Sequence, residues 1–386
     1  MSAMLDVVWP YRWYILYAAA AGVCLLLALS GLRLQAVDGL YGPRRPLVIL
    51  AAISGALIAL QPTGTGIVQF LLERAAEKGS GAQLAQAGDG FMAAYEAVSH
   101  PATAWPLPLA LLTLAPVIVL VWGLFLPIKR VVGLVGVSCL CAMSVGTALA
   151  LPWLPHARAV AVRYAHARVP VPVLGAAVLG LLAAASMPYM EAAAPGSFDW
   201  PVLLLHAVVV AVPTVLAVRP ALSCAGKCGV PAATALWALA GTCTGMYWLA
   251  VVRAIAAATG ASSGAWIDGV HQYSNGAQAA AIQAQVQHAC ASGTAVPQYA
   301  GLAMMLANTA ACGVAMVESS FSTWALYSIS WDAVFTTLFM LSWLPGKRIV
   351  HLTKLVLTGP AAMVASTLAE EFASSVTFVG QHEKQL

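Results

Sequence analysis

Two carboxylates stand in the most aromatic apolar stretch of the chain, where they could act as acids. Glu318 and Asp332 lie in the segment VESSFSTWALYSISWDAVFTTLFMLSW, residues 317–343. A carboxylate placed at membrane depth costs about 2.5–3.5 kcal/mol on insertion scales. A group retained at that cost is a functional-site hypothesis, and burial in apolar surroundings would favour its protonated, proton-donating form.

The side chains around these carboxylates suggest which chemistry such an acid could start. Aromatic faces attract developing cations, and an apolar enclosure excludes water from a reactive chain. An acid with these neighbours is a candidate proton donor to a substrate held in an apolar enclosure. We predict Asp332 and Glu318 as the catalytic residues. The predicted substrate-binding residues are Trp324, Tyr327, Ser328, Trp331 and His206.

The same residues admit structural interpretations that the sequence leaves open. Asp332 could cap or bond a partner on another helix, and Glu318 could mark a helix boundary at the membrane interface. The Trp and Tyr side chains also suit an interface belt or a core, and a lone histidine such as His206 is more often a core donor than a catalyst. An unbroken helix would separate Glu318 from Asp332 by about 21 Å, too far to share one site.

Composition sets the expected class. The chain has 386 residues, of which 61% are hydrophobic and only 8% charged, against roughly 25% charged in ordinary soluble domains. We therefore predict an all-α polytopic integral membrane bundle of about nine or ten transmembrane helices, forming a single domain over 1–386. The expected location is an endomembrane such as the endoplasmic reticulum, with the lipid bilayer as a partner. A net charge of +4 without a recognition motif argues against nucleic acid, and nothing indicates the oligomeric state.

Apolar runs predict the helices, and the polar segments between them predict the loops. Two long hydrophilic stretches, 73–105 and 259–299, are predicted to be loops outside the membrane. The predicted helices cover 13–32, 47–70, 106–127, 131–154, 171–189, 200–218, 230–257, 299–317, 321–344 and 349–368.

The eight cysteines do not suggest a metal site. Most lie inside apolar runs, where cysteine behaves as a small hydrophobic residue. Cys224 and Cys228 share a loop, and they could form a disulfide if that loop faces an oxidising compartment. No further ligands stand near them in the sequence.

The C-terminal portion carries short motifs of a known kind. Gly359-Pro360-Ala361-Ala362 precedes Glu370-Glu371, and an aromatic helix with Trp331-Asp332 ends at Trp343. This arrangement resembles the fungal ascofuranone-type membrane-bound terpene cyclases, as does the Pro188-terminated end of the helix predicted over 171–189. The N-terminal half shows no matching motif, and Leu368-Ala369 replace the usual basic residue before the final glutamates.

The resemblance implies an enzyme of fungal secondary metabolism. Members of that family protonate the terminal epoxide of a farnesyl chain carried on an aromatic head group and then guide its cyclisation. The resemblance therefore implies a proton-initiated carbocation reaction, for which we expect no metal and no cofactor. The expected partner is therefore a hydrophobic prenylated small molecule. A membrane prenyltransferase is less favoured, because the chain has no DxxxD or DDxxD motif for Mg²⁺-diphosphate. The alternative function is a multi-pass small-molecule transporter with helices interrupted at Gln61-Pro62 and Glu318.

Overall fold

The computed structural model describes residues 12–29, 106–154, 161–162, 166–193, 204–205, 207–209, 212, 229–258, 288 and 324–383. This part of the chain is mostly helical. Two short strands, β1 (Arg168–Val169) and β2 (Val230–Pro231), pair antiparallel. The helices, in chain order, are α1 (Arg12–Leu29), α2 (Pro106–Phe125), α3 (Ile128–Leu140), α4 (Met143–Ala150), α5 (Val171–Ala193), α6 (Ala232–Ala258), α7 (Trp324–Trp343), α8 (Arg348–Thr358) and α9 (Pro360–Glu383).

Helix α2 lies at the centre of the core. It contacts α5, α6, α7 and α9, and nearly all its side chains over 111–122 are buried, with Leu114, Ile118 and Trp122 inaccessible to solvent. Phe125 at its end stacks on Phe372 of α9 with ring centroids 6.3 Å apart. A helix that is apolar all round is buried either in lipid or in protein, and α2 is surrounded by the other helices.

The expected polytopic membrane bundle of nine or ten transmembrane helices is wrong. Within the residues described here, no helix combines the length and the apolar character needed to cross a bilayer. One physical reason is that apolar runs are also what helices need in order to bury one another, as α2 shows. A second reason is length, because two predicted spans are each divided: 131–154 into α3 and α4, and 349–368 into α8 and α9.

Some of the other predicted helices lie within the described residues, and some lie outside them. The runs 13–32, 106–127, 171–189, 230–257 and 321–344 correspond to α1, α2, α5, α6 and α7, with ends shifted by a few residues. The predicted helices 47–70 and 299–317 and the predicted loop 73–105 lie outside the described residues. Only residue 288 is described in the predicted loop 259–299, and only scattered positions are described in 200–218.

The break between α3 and α4 has no local breaker residue. Ala142 is extended at φ −167° and ψ 151°, and its methyl group cannot accept a hydrogen bond from the first amides of α4. Neither glycine nor proline stands at Cys141 or Ala142. The amides of α4 therefore need an acceptor from elsewhere, and α7 lies directly against α4.

The junction between α8 and α9 is built from local signals. Gly359 has φ 82° and ψ 166°, a conformation essentially restricted to glycine, and Pro360 opens α9, where its missing N–H costs nothing. A Cβ atom at Gly359 would lie 2.7 Å from Cδ2 of the Tyr247 ring. Both the backbone angles and the close ring therefore require glycine here.

Candidate active site around Asp332

Asp332 lies within α7, and its carboxylate is only 6% exposed. Oδ2 accepts a hydrogen bond from the backbone N–H of Met143 at 2.9 Å, and Oδ1 accepts one from the backbone N–H of Ser144 at 2.6 Å. The Thr336 hydroxyl, one turn along α7, is 3.5 Å from Oδ1. Both carboxylate oxygens thus face the first two residues of α4.

This geometry makes Asp332 the N-terminal cap of α4. The first amides of a helix have no acceptor within the helix, and the helix dipole places partial positive charge there. Ala142, the residue in the capping position, makes no side-chain hydrogen bond, so the carboxylate comes from a residue 189 positions away from Met143. The capping interpretation left open by the sequence describes this contact.

The electrostatic surroundings of Asp332 act in two directions. Burial raises the pKa of the Asp332 carboxyl above its usual value, while the hydrogen bonds from Ser144, Met143 and Thr336 oppose that shift. Burial therefore favours the neutral acid, whereas the two amides would stabilise the carboxylate left after a proton departs. Glu370 and Glu371, the other carboxylates whose side chains the structure describes, are not buried, unlike Asp332.

An aromatic column runs along α7 beside Asp332. Trp331 stacks on Phe335 with ring centroids 5.4 Å apart, and Phe335 stacks on Phe339 at 6.3 Å. Spacing of four residues brings these rings to one face of the helix. Phe339 is buried, whereas Trp331 and Phe335 are half-buried. The column therefore leads along α7 from the core towards the surface.

The structure describes the remaining predicted site residues only in part. Trp324, Tyr327 and Ser328 belong to the first turns of α7, where the structure describes the backbone but not their side chains. Glu318 and His206 lie outside the described residues, so their roles stay predictions. Trp331 and Asp332 occupy consecutive positions of α7, so their side chains leave the helix about 100° apart.

Sequence reasoning missed the partners that surround Asp332. Met143 and Ser144 contribute backbone amides, which no sequence motif reveals. Thr336 and Phe335 could have been found, because they stand four residues after Asp332 and Trp331, the spacing of neighbours on a helix face.

Possible metal ligands do not converge in the part of the chain described. No group of three or more His, Cys, Asp or Glu side chains there could hold a metal ion. The described cysteines, Cys24, Cys139, Cys141 and Cys243, are free thiols. Cys224 and Cys228 lie outside the described residues, so the disulfide suggested for them remains a prediction.

Comparisons with known proteins add no relative. No protein-family model matches this chain, and neither the curated proteins nor the solved structures contain a match. The resemblance to the terpene cyclases therefore remains a prediction that rests on the quoted motifs.

Proposed function

We propose that the protein is a terpene cyclase that acts on an epoxidised farnesyl chain, with Asp332 as the proton donor. The single observation that carries this proposal is the environment of Asp332: a buried carboxyl whose two oxygens are each met by a backbone amide. The proposal concerns the reaction and does not depend on helices that cross a membrane.

The chemistry assigns each group a defined task. The Asp332 carboxyl gives its proton to the epoxide oxygen, and the carbon–oxygen bond breaks as a double bond of the chain attacks the carbon. The Met143 and Ser144 amides stabilise the carboxylate that remains, as donors preorganised in a water-poor site. Loss of a proton from the final cation, or capture by an internal hydroxyl, ends the cascade, and a proton returns to Asp332.

The aromatic column supports the same proposal. Cations that develop along the farnesyl chain are attracted to π faces within about 6 Å. The half-buried rings of Trp331 and Phe335 lie on the same helix as the acid and offer such faces to a chain bound along α7. No metal or cofactor takes part in this mechanism.

The reaction is tested by supplying an epoxyfarnesyl arene to the purified protein and following product by mass spectrometry. We expect cyclised product from the wild type and none from Asp332→Asn, which keeps the shape of the cap but cannot donate a carboxyl proton. Glu370→Gln changes an exposed carboxylate and is the matched control, with turnover expected at the wild-type level.

Two results would count against the proposal in different ways. Unchanged substrate with a wild-type protein of intact helical circular dichroism would exclude the reaction. Turnover retained by a folded Asp332→Asn protein would leave the reaction standing but remove Asp332 as its acid.

A further inference from the structure

Helix α8 turns its apolar side outward. Its exposed hydrophobic side chains span an arc of about 160° of the circumference, judged from 3.6 residues per turn. One exposed polar residue, Thr353, lies within this arc, and its hydroxyl donates to the Ile349 carbonyl at 2.9 Å. The most exposed hydrophobic side chains are Ile349 at 68% and Val356 at 67%. The others on this arc are Leu352, Leu357 and Val350. Its inward side is marked by the buried His351, whose Nε2 lies 2.8 Å from the Pro345 carbonyl oxygen.

Basic side chains flank this arc. By the same helical geometry, Arg348 lies at one edge and Lys354 at the other. The exposed Lys347 precedes the helix, in the capping position. Cations are unfavourable at a helix N-terminus, so local helix stability does not account for Lys347. Glu370 pairs with Lys354 at 2.7 Å, which leaves Lys347 and Arg348 as the excess positive charge beside the arc. The Arg348 guanidinium also donates to the Leu341 carbonyl at 3.2 Å, so Lys347 is the more accessible of the two cations.

An aromatic anchor continues the same surface. Trp248 of α6 is 46% exposed, and its indole Nε1–H donates to the Leu357 carbonyl at 2.9 Å, which fixes the ring at the C-terminal end of α8. Leu249 beside it is 41% exposed. Tryptophan with one polar and one apolar end suits the interface between lipid headgroups and acyl chains.

We propose that this face, defined by the α8 arc with Trp248 and Leu249, docks onto the surface of a bilayer that contains anionic phospholipid. An apolar helix face with cations at its edges is the pattern of helices that lie in the plane of the interface, with the apolar side among the acyl chains and the cations at the phosphates. The positive excess at Lys347 and Arg348 matches the negative headgroups. The contact is with the surface of the bilayer and is independent of the proposed cyclisation.

Vesicle flotation tests the proposal with the full-length protein. Vesicles of phosphatidylcholine are compared with vesicles that also contain phosphatidylserine. We expect binding to rise with phosphatidylserine and to fall about tenfold in the Ile349→Ser/Val356→Ser variant, because two exposed side chains no longer enter the acyl layer. Lys347→Glu should reduce binding only to the phosphatidylserine vesicles.

A matched control uses apolar side chains of similar exposure elsewhere. Leu179 and Leu182 on α5 are 55% and 51% exposed, and Leu179→Ser/Leu182→Ser should bind vesicles like the wild type. Equal loss in both double variants would overturn the proposal in favour of general adhesiveness. Light scattering gives the other contrary outcome: a wild-type dimer that becomes a monomer in Ile349→Ser/Val356→Ser, with vesicle binding unchanged, would assign the face to a second copy of the chain.

Discussion

Two of the described helix junctions, α8–α9 and α3–α4, are capped in opposite ways. Between α8 and α9, Gly359 and Pro360 stand in the chain where the helix must end and the next must begin. Between α3 and α4, Ala142 offers no cap, and Asp332 supplies one from another helix. The α8–α9 junction is determined by two adjacent residues of the chain. The α3–α4 junction depends on a long-range contact, because α7 lies against α4.

Long-range partners also contribute at the local junction, but in a different role. Tyr247 and Trp248 of α6 donate to the carbonyls of Val356 and Leu357 at 3.2 Å and 2.9 Å, which satisfies acceptors at the end of α8. These bonds support an end that glycine already determines. At α4 the distant residue determines the helix start itself. We therefore expect the α4 junction to be the more sensitive of the two to loss of a single side chain.

Asp332→Ala should produce the largest loss of stability. It leaves two buried amides without their acceptor, and we expect the free energy of unfolding to fall by about 3 kcal/mol. Urea denaturation followed by circular dichroism measures the change. Thr336→Val is the matched control, because its contact with Oδ1 is long at 3.5 Å, and it should cost about 0.5 kcal/mol or less. A loss below about 1 kcal/mol for Asp332→Ala would mean that the α4 cap contributes little.

Gly359→Ala should lower the free energy of unfolding by about 2 kcal/mol. Alanine at φ 82° and ψ 166° is strained, and its Cβ would clash with the Tyr247 ring. The comparison variant is Gly346→Ala, also at positive φ (110°) but with its nearest neighbour, His351, at 3.4 Å. Gly346→Ala should lose less free energy of unfolding, because it carries the backbone strain without the clash. The difference between the two losses therefore measures the clash with the Tyr247 ring. Equal losses at the two glycines, measured in the same urea titrations, would show that the Tyr247 ring yields at no cost.

These two junctions also show what the sequence can and cannot predict. The Gly359-Pro360 pair is a standard helix stop and start, so the division of 349–368 is predictable from the sequence. The division of 131–154 could not, because its cause, Asp332, is remote in the chain. The sequence marks Asp332 as a carboxylate within an apolar stretch, but its partners are backbone amides, which carry no sequence signal. The membrane prediction failed on α2 for a related reason, since an apolar run does not say whether lipid or protein surrounds it.

Lowering the pH should change the free energy of unfolding at the α3–α4 junction but not at the α8–α9 junction. We expect this change to be smaller than the losses caused by Asp332→Ala and Gly359→Ala. Because burial raises the pKa of Asp332 in the folded protein, the folded state retains a proton that the unfolded chain has lost at the same pH. Stability from this group is therefore present below the usual aspartate pKa and is lost as pH rises through the raised folded-state value. We expect the difference in unfolding free energy between the wild type and Asp332→Asn to move in favour of the wild type on acidification. The difference between the wild type and Gly359→Ala should stay constant, because both proteins keep the same titratable groups, including the Lys354–Glu370 pair that joins α8 to α9. A wild-type advantage that instead shrinks in acid would show that the Met143 and Ser144 amides outweigh burial, making Asp332 a permanently charged cap rather than a proton donor.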